Sequence, residues 1–159
     1  DHHDAITAIG APTVNAYKRL KPGQLAGFFA NWGIDHRSAA IRIPAERDGS
    51  CRIEHRVPDG AANLYLTAAA LLTAARMGVE GRIEPPEPET GDALETANTE
   101  RIPPANLGAA CDALEADAAF VEAFGSTAVE NFLAIKRDEW VKFTQVVTDW
   151  ELNYYLPYL

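Results

Sequence analysis

The chain has 159 residues and a mass of 17.3 kDa, with 47% hydrophobic and 23% charged side chains. That suits one compact domain or a piece of a larger one, and excludes a disulfide mini-protein and a chain disordered throughout. Fourteen basic against 23 acidic side chains give a net charge of −9, the wrong sign for a general nucleic-acid or anionic-membrane binder.

Residues 4–10 read as the last turns of a helix, closed by Gly10 and stopped by Pro12. The polar opening Asp1-His2-His3-Asp4 does not resemble a signal peptide, and His2 and His3 read as a tag remnant or surface groups on a cut terminus. Pro22-Gly23 marks a turn inside an exposed loop over residues 21–27. Residues 28–32, Phe-Phe-Ala-Asn-Trp, suit a buried strand, and residues 39–43 suit another that ends at Pro44. After a turn over 46–50, residues 51–57 alternate with period two. Arg52, Glu54 and Arg56 then share one face, and Cys51, Ile53, His55 and Val57 the other. His55 faces away from the arginine row and reads as a packed histidine, and His36 is given no chemical role.

Asp59-Gly60 is a cap for a buried Ala/Leu-rich helix from Ala61 to Met77, closed by Gly78. That stretch is broken by polar residues and is short of the roughly 20 apolar residues of a membrane span. Residues 81–106, with Pro85, Pro86, Pro88, Pro103, Pro104 and many acids, read as a surface excursion. Two short helices over 107–114 and 118–124 follow. A long amphipathic helix over 127–156 then directs Phe132, Ile135, Trp140, Phe143, Val147 and Trp150 toward a partner surface. Cys51 and Cys111 match no metal or disulfide spacing and read as two buried small residues.

Charge is unevenly spread. Residues 1–79 carry 9 basic and 7 acidic side chains, whereas residues 80–159 carry 5 and 16, so an anion site belongs in the first half. Arg19, Arg37, Arg42, Arg52 and Arg56 lie within about forty residues of one another, with Glu54 among them. Guanidinium groups keep their charge and match carboxylate and phosphate geometry. Spacing alone leaves three readings open: an anion site, solvated surface ion pairs, and a hard-metal ligand at Glu54.

Three ordered motifs narrow this choice. They are Asn15-Ala16-Tyr17-Lys18-Arg19-Leu20-Lys21-Pro22-Gly23, then Trp32-Gly33 with His36-Arg37-Ser38-Ala39-Ala40-Ile41-Arg42-Ile43-Pro44, then Arg52-Ile53-Glu54-His55-Arg56-Val57-Pro58-Asp59-Gly60 running on to Leu66. Together they resemble the glutamine synthetase family, and the likeness continues to Thr148-Asp149-Trp150-Glu151-Leu152. The resemblance implies an α+β fold: the carboxy-terminal part of a catalytic barrel, followed by helices. Residues 1–80 would hold the site, and residues 81–159 the acidic excursion and the helical region.

The resemblance also implies an activity, in which ATP phosphorylates the γ-carboxylate of glutamate and ammonia or an amine displaces the phosphate. Glu54 then resembles a ligand of Mg2+ or Mn2+, and Arg56 the arginine on the glutamate α-carboxylate. Arg19 resembles the one near the γ-carboxylate, Arg37 the catalytic arginine on the transferring phosphoryl group, and Arg42 and Arg52 those on the nucleotide phosphates. Further implications are a homo-oligomeric ring such as a dodecamer, with sites between subunits, a cytoplasmic location, and a place in glutamine biosynthesis and nitrogen metabolism. No nucleic-acid or membrane partner is expected.

The chain departs from the family pattern at three places. Leu25 stands where the loop glutamate that helps deprotonate ammonium is usual, so a γ-glutamyl-polyamine or γ-glutamyl-monoamine synthetase is an alternative. No tyrosine follows Leu94, so control by nucleotidylation there is not expected. The upstream barrel, with the other metal-binding glutamates, lies outside these residues, so the isolated chain is expected to be inactive. A non-catalytic regulatory or structural relative is the remaining alternative, and the intact arginine cluster counts against it.

Overall fold

A computed structural model describes all residues, 1–159. The elements in order are α1 (His3–Gly10), β1 (Trp32–Ile34), β2 (Ile41–Ile43), β3 (Glu54–His55), α2 (Leu64–Glu80), α3 (Leu107–Ala116), α4 (Ala118–Phe124), α5 (Ser126–Thr144) and α6 (Asp149–Tyr155). A 3-10 turn lies at Ala16–Lys18 and another at Leu156–Tyr158. This is the expected α+β mixture, with one small sheet and a helical second half.

The core forms where α1 lies against α3. Ala5, Ile6, Ala8 and Ile9 meet Leu107, Ala110, Cys111 and Leu114, with Tyr17, Leu20, Val57, Phe120, Val129 and Leu133 closing around them. Small residues on both helices let the backbones approach, while Phe120, Leu107 and Leu114, fully buried, each contribute roughly 1.5–3 kcal/mol of apolar burial.

The sheet has the order β1-β2-β3. β1 and β2 run parallel, with Trp32 opposite Ile41 and Ile34 opposite Ile43, although only residues 35–40 join them. Parallel neighbours ordinarily need a crossover of a dozen residues or more, so this connection is unusually tight. It begins at Asp35, whose φ of 51° turns the chain back. β2 and β3 are antiparallel, with Arg42 directly opposite Glu54 and Ile41 opposite His55.

Several expectations are corrected. The strand placed at 28–32 forms instead at Trp32–Ile34, because Ala30 N donates to Arg101 O and Asn31 N to Phe29 O, which takes these backbone donors out of the ladder. The strand placed at 51–57 shrinks to Glu54–His55, since residues 44–53 loop out between the partners. Cys51, on that loop, is exposed, whereas Cys111 is buried as expected. The helix placed from Ala61 begins at Leu64, because the Asn63 side chain accepts from Tyr65 N and Leu66 N. Asp59 makes an earlier turn, its Oδ1 accepting from Ala61 N at 2.8 Å.

That helix is not buried throughout. Thr67 and Ala70 are enclosed, but Leu64, Tyr65, Leu72 and Val79 are exposed. The long helix placed at 127–156 breaks between Thr144 and Asp149, where Thr148 and Glu151 form a reciprocal capping box. His2 and His3 belong to the fold rather than to a loose terminus. His2 Nδ1 lies 2.6 Å from Asp117 Oδ2, and its ring packs near Phe120. No single helix is long and apolar enough to cross a membrane.

Candidate functional site

Period-two alternation gives the sheet two unlike faces. Ile41, Ile53 and His55 look toward a cavity of about 620 Å³, which Ile6, Leu71 and Leu72 also line. Arg42 and Glu54, cross-strand neighbours, point to the other face, and Arg52 and Arg56 join them from the ends of β3.

Glu54 is the centre of that second face. Arg42 Nη1 donates to Glu54 Oε2 at 2.7 Å, and Arg52 Nε donates to Oε1 at 3.0 Å. Arg56 Nη1 lies 3.9 Å from Oε2. The row of plus, minus, plus read from the sequence therefore meets at one carboxylate, joined by a third arginine from β2. Hydrogen bonding from Arg42 holds the Glu54 carboxyl below the ordinary carboxylate range, with Arg52 adding to the effect. Arg42 also donates through Nε to Asp35 Oδ1 at 3.0 Å, and that bond likewise lowers the Asp35 carboxyl. One guanidinium thus bridges two carboxylates, using its fork in two directions.

Arg19 and Arg37 stand apart from this knot. The Arg19 guanidinium donates to the backbone oxygens of Arg56 and Val57, so it ties the 3-10 turn at Ala16–Lys18 to the end of β3. Arg37 is exposed on the connection between β1 and β2. Arg56 Nη2 donates to Leu25 O at 3.2 Å, which anchors the 21–27 loop over the arginine face and leaves the Leu25 side chain exposed. Gly27, at φ +69° and with only 2.7 Å between an added Cβ and Ala40 Cα, lets that loop lie flat against the sheet.

Three arginines, Arg42, Arg52 and Arg56, against Asp35 and Glu54 leave an excess of positive charge, which suits phosphate or carboxylate oxygens. A cation is a different matter. Mg2+ and Mn2+ take about six oxygen ligands, Glu54 offers one carboxylate already engaged by arginines, and no three His, Cys, Asp or Glu side chains converge to hold a metal. These residues alone do not fit the ion that the resemblance implies at Glu54.

Two participants were missed in the sequence. Asp35 lies just before the His36–Pro44 motif, and its only signal in the sequence is an acid seven residues ahead of Arg42. Glu89 is buried within the expected surface excursion, 7% exposed, and nothing in its spacing distinguishes it from its acidic neighbours.

A family model described as glutamine synthetase, catalytic domain, matches residues 1–155. The chain is 42% identical over 163 residues to a glutamine synthetase of Methanocaldococcus jannaschii, covering 99% of this chain and 36% of the relative. It is 38% identical over 162 residues to a glutamine synthetase of Thermotoga maritima, covering 98% and 37%. Among solved structures, apo GmaS without ligand superimposes with a TM-score of 0.83 at 35% identity, covering 98% of this chain and 35% of that one. A GmaS/ADP complex gives 0.85 at 34% identity, covering 98% and 37%. The chain thus spans little more than a third of the length of the relatives it matches.

Proposed function

Because the chain belongs to the glutamine synthetase family, we propose that it contributes the arginine face of a site where ATP activates glutamate for attack by ammonia or an amine. The observation that carries this reading is the convergence of Arg42, Arg52 and Arg56 on Glu54, with Arg37 free on the neighbouring turn. A γ-carboxylate oxygen of glutamate attacks the terminal phosphorus of ATP, the bond to ADP breaks, and an acyl phosphate results. The amine nitrogen then attacks the carbonyl carbon, loses a proton, and phosphate leaves.

Each step gathers negative charge on oxygens, which fixed guanidinium groups stabilise without reorganising. In this reading Arg37 faces the transferring phosphoryl group, Arg42 and Arg52 the nucleotide phosphates, and Arg56 the glutamate α-carboxylate. Arg19, spent on two carbonyls, holds β3 in place and has less freedom to meet the γ-carboxylate. A divalent ion at Glu54 would need further carboxylates from outside residues 1–159. Glutamate, the amine and further copies of the chain are the partners, and the location is cytoplasmic.

Leu25 favours a second reading, in which the amine is larger or less polar than ammonia. An exposed leucine, with only its carbonyl used by Arg56, brings no carboxylate to take a proton from ammonium. The full-length protein should release phosphate from ATP only with glutamate and an amine, and faster with an alkylamine than with ammonium. Leu25→Glu should shift that preference toward ammonium by about tenfold. Preference for ammonium in the wild type would discard the second reading, and phosphate release independent of glutamate would discard the first.

A further inference from the structure

We propose that Glu89 is a positioning residue for Arg37, holding the arginine-bearing turn from a buried carboxylate on the acidic excursion. The proposal rests on the reading of Arg37 as the phosphoryl-facing arginine.

The turn needs an external support. Residues 35–40 join two parallel strands in half the usual length, and Arg37 within them is exposed. The segment 89–92 supplies that support along its whole length. Glu89 N donates to Trp32 O at 2.7 Å, His36 Nε2 donates to Gly91 O, and Ser38 Oγ donates to Asp92 O. The residues on both sides of Arg37 are therefore tethered to one stretch of chain. Gly33 passes so close that an added Cβ would lie 2.7 Å from His36 Cβ and 3.1 Å from Glu89 O, so the two segments meet without a side chain between them.

Glu89 locks this stretch. Its Oε1 accepts from Thr90 N at 2.9 Å and Gly91 N at 2.8 Å, which shapes the turn that receives His36. Its Oε2 accepts from Asn98 N at 2.8 Å and from Asn31 Nδ2 at 3.2 Å. Asn31 Oδ1 in turn accepts from Ala40 N at 3.2 Å. The carboxylate thus reaches both ends of the 31–40 segment, the near end through Asn31 and the far end through Ala40. Four donors on an acceptor-only group leave no place for an amide NH2. A glutamine here would set its own donors against two of theirs, and buried donors left unpaired are costly.

The test uses the full-length protein with Glu89→Gln, and with Glu89→Gln combined with Asn31→Asp. In the double variant the new amide at position 89 donates to the new carboxylate at position 31, and the link to Ala40 survives. Glu89→Gln should lower kcat for glutamate- and amine-dependent phosphate release about tenfold or more. The KM for glutamate should stay within about twofold, and amide hydrogen exchange should speed up in the peptide covering residues 31–42. The double variant should recover part of the kcat, since it restores the Asn31 link while Asn98 N still faces the amide. An active wild type whose kcat and exchange are unchanged by Glu89→Gln overturns the role of Glu89 alone. A kcat loss that Asn31→Asp does not relieve also overturns it, because that loss would not pass through Asn31. An inactive wild type overturns the ligase reading, and the role of Arg37 with it. Should Glu89→Gln fail to fold, Asn31→Ala leaves three donors on Glu89, carries the same expected loss of kcat, and overturns the proposal if its kcat is that of wild type.

Discussion

Arg42 and the two histidines behind it show how far apart the two faces of the sheet are in chemistry. In front, Arg42 bonds two carboxylates and keeps both ionised. Behind, burial holds the His55 imidazole neutral down to about 4, with the charge of His3 adding to the effect, and burial does the same for His3. His3 Nε2 and His55 Nδ1 are buried without partners; nothing offsets the desolvation of a proton on His55, and at His3 the Asp4 carboxylate offsets it only in part. The unfolded chain binds these protons near pH 6.5 and the folded chain only near 4. Stability is therefore complete above about 6.5 and is lost as pH falls toward 4, on the order of a few kcal/mol. His55→Leu should narrow that loss, read as a melting midpoint that drops less between about pH 7 and about pH 4.5 than in wild type, and an equal drop would contradict it. The packed role of His55 was legible from strand alternation. The burial of His3 was not, because it depends on contacts from distant elements.

At the scale of elements, the sequence placed helices better than strands. The helices placed over 107–114 and 118–124 form at Leu107–Ala116 and Ala118–Phe124, and the structure adds the Asn106 and Asp117 side chains that cap them. The strands are two or three residues long, and what sets them is pairing across the 35–40 turn and the 44–53 loop, which local pattern does not encode. The break between α5 and α6 was legible in principle, since Thr148-x-x-Glu151 is a capping box, but the continuing apolar spacing masked it. Thr148→Ala removes the side chain that accepts from Glu151 N and donates to Glu151 Oε2. It should cost about 1 kcal/mol, read as faster amide exchange confined to residues 149–155. Unchanged exchange there would mean that packing, not the cap, sets the start of α6.

At the scale of the whole molecule, exposed apolar side chains and a one-carboxylate site have the same cause. Leu64, Tyr65, Leu72 and Val79 on α2 and Trp150, Tyr154, Tyr155 and Leu156 near the carboxy terminus lie open to solvent, more than an isolated domain usually leaves uncovered. The chain corresponds to about 36% of the M. jannaschii relative, and the rest of such a protein is where covering surface and further ligands would come from. The family and its arginines were legible because they lie in contiguous motifs. The Glu89 tether joins residues almost sixty positions apart, so only the fold brings it together. Activation of glutamate as an acyl phosphate is followed through oxygen: glutamate labelled with heavy oxygen in its γ-carboxylate is incubated with ATP and an amine. The full-length protein is predicted to transfer label into the released phosphate, with none transferred by residues 1–159 alone. Unlabelled phosphate from an active full-length protein would contradict activation of glutamate as an acyl phosphate.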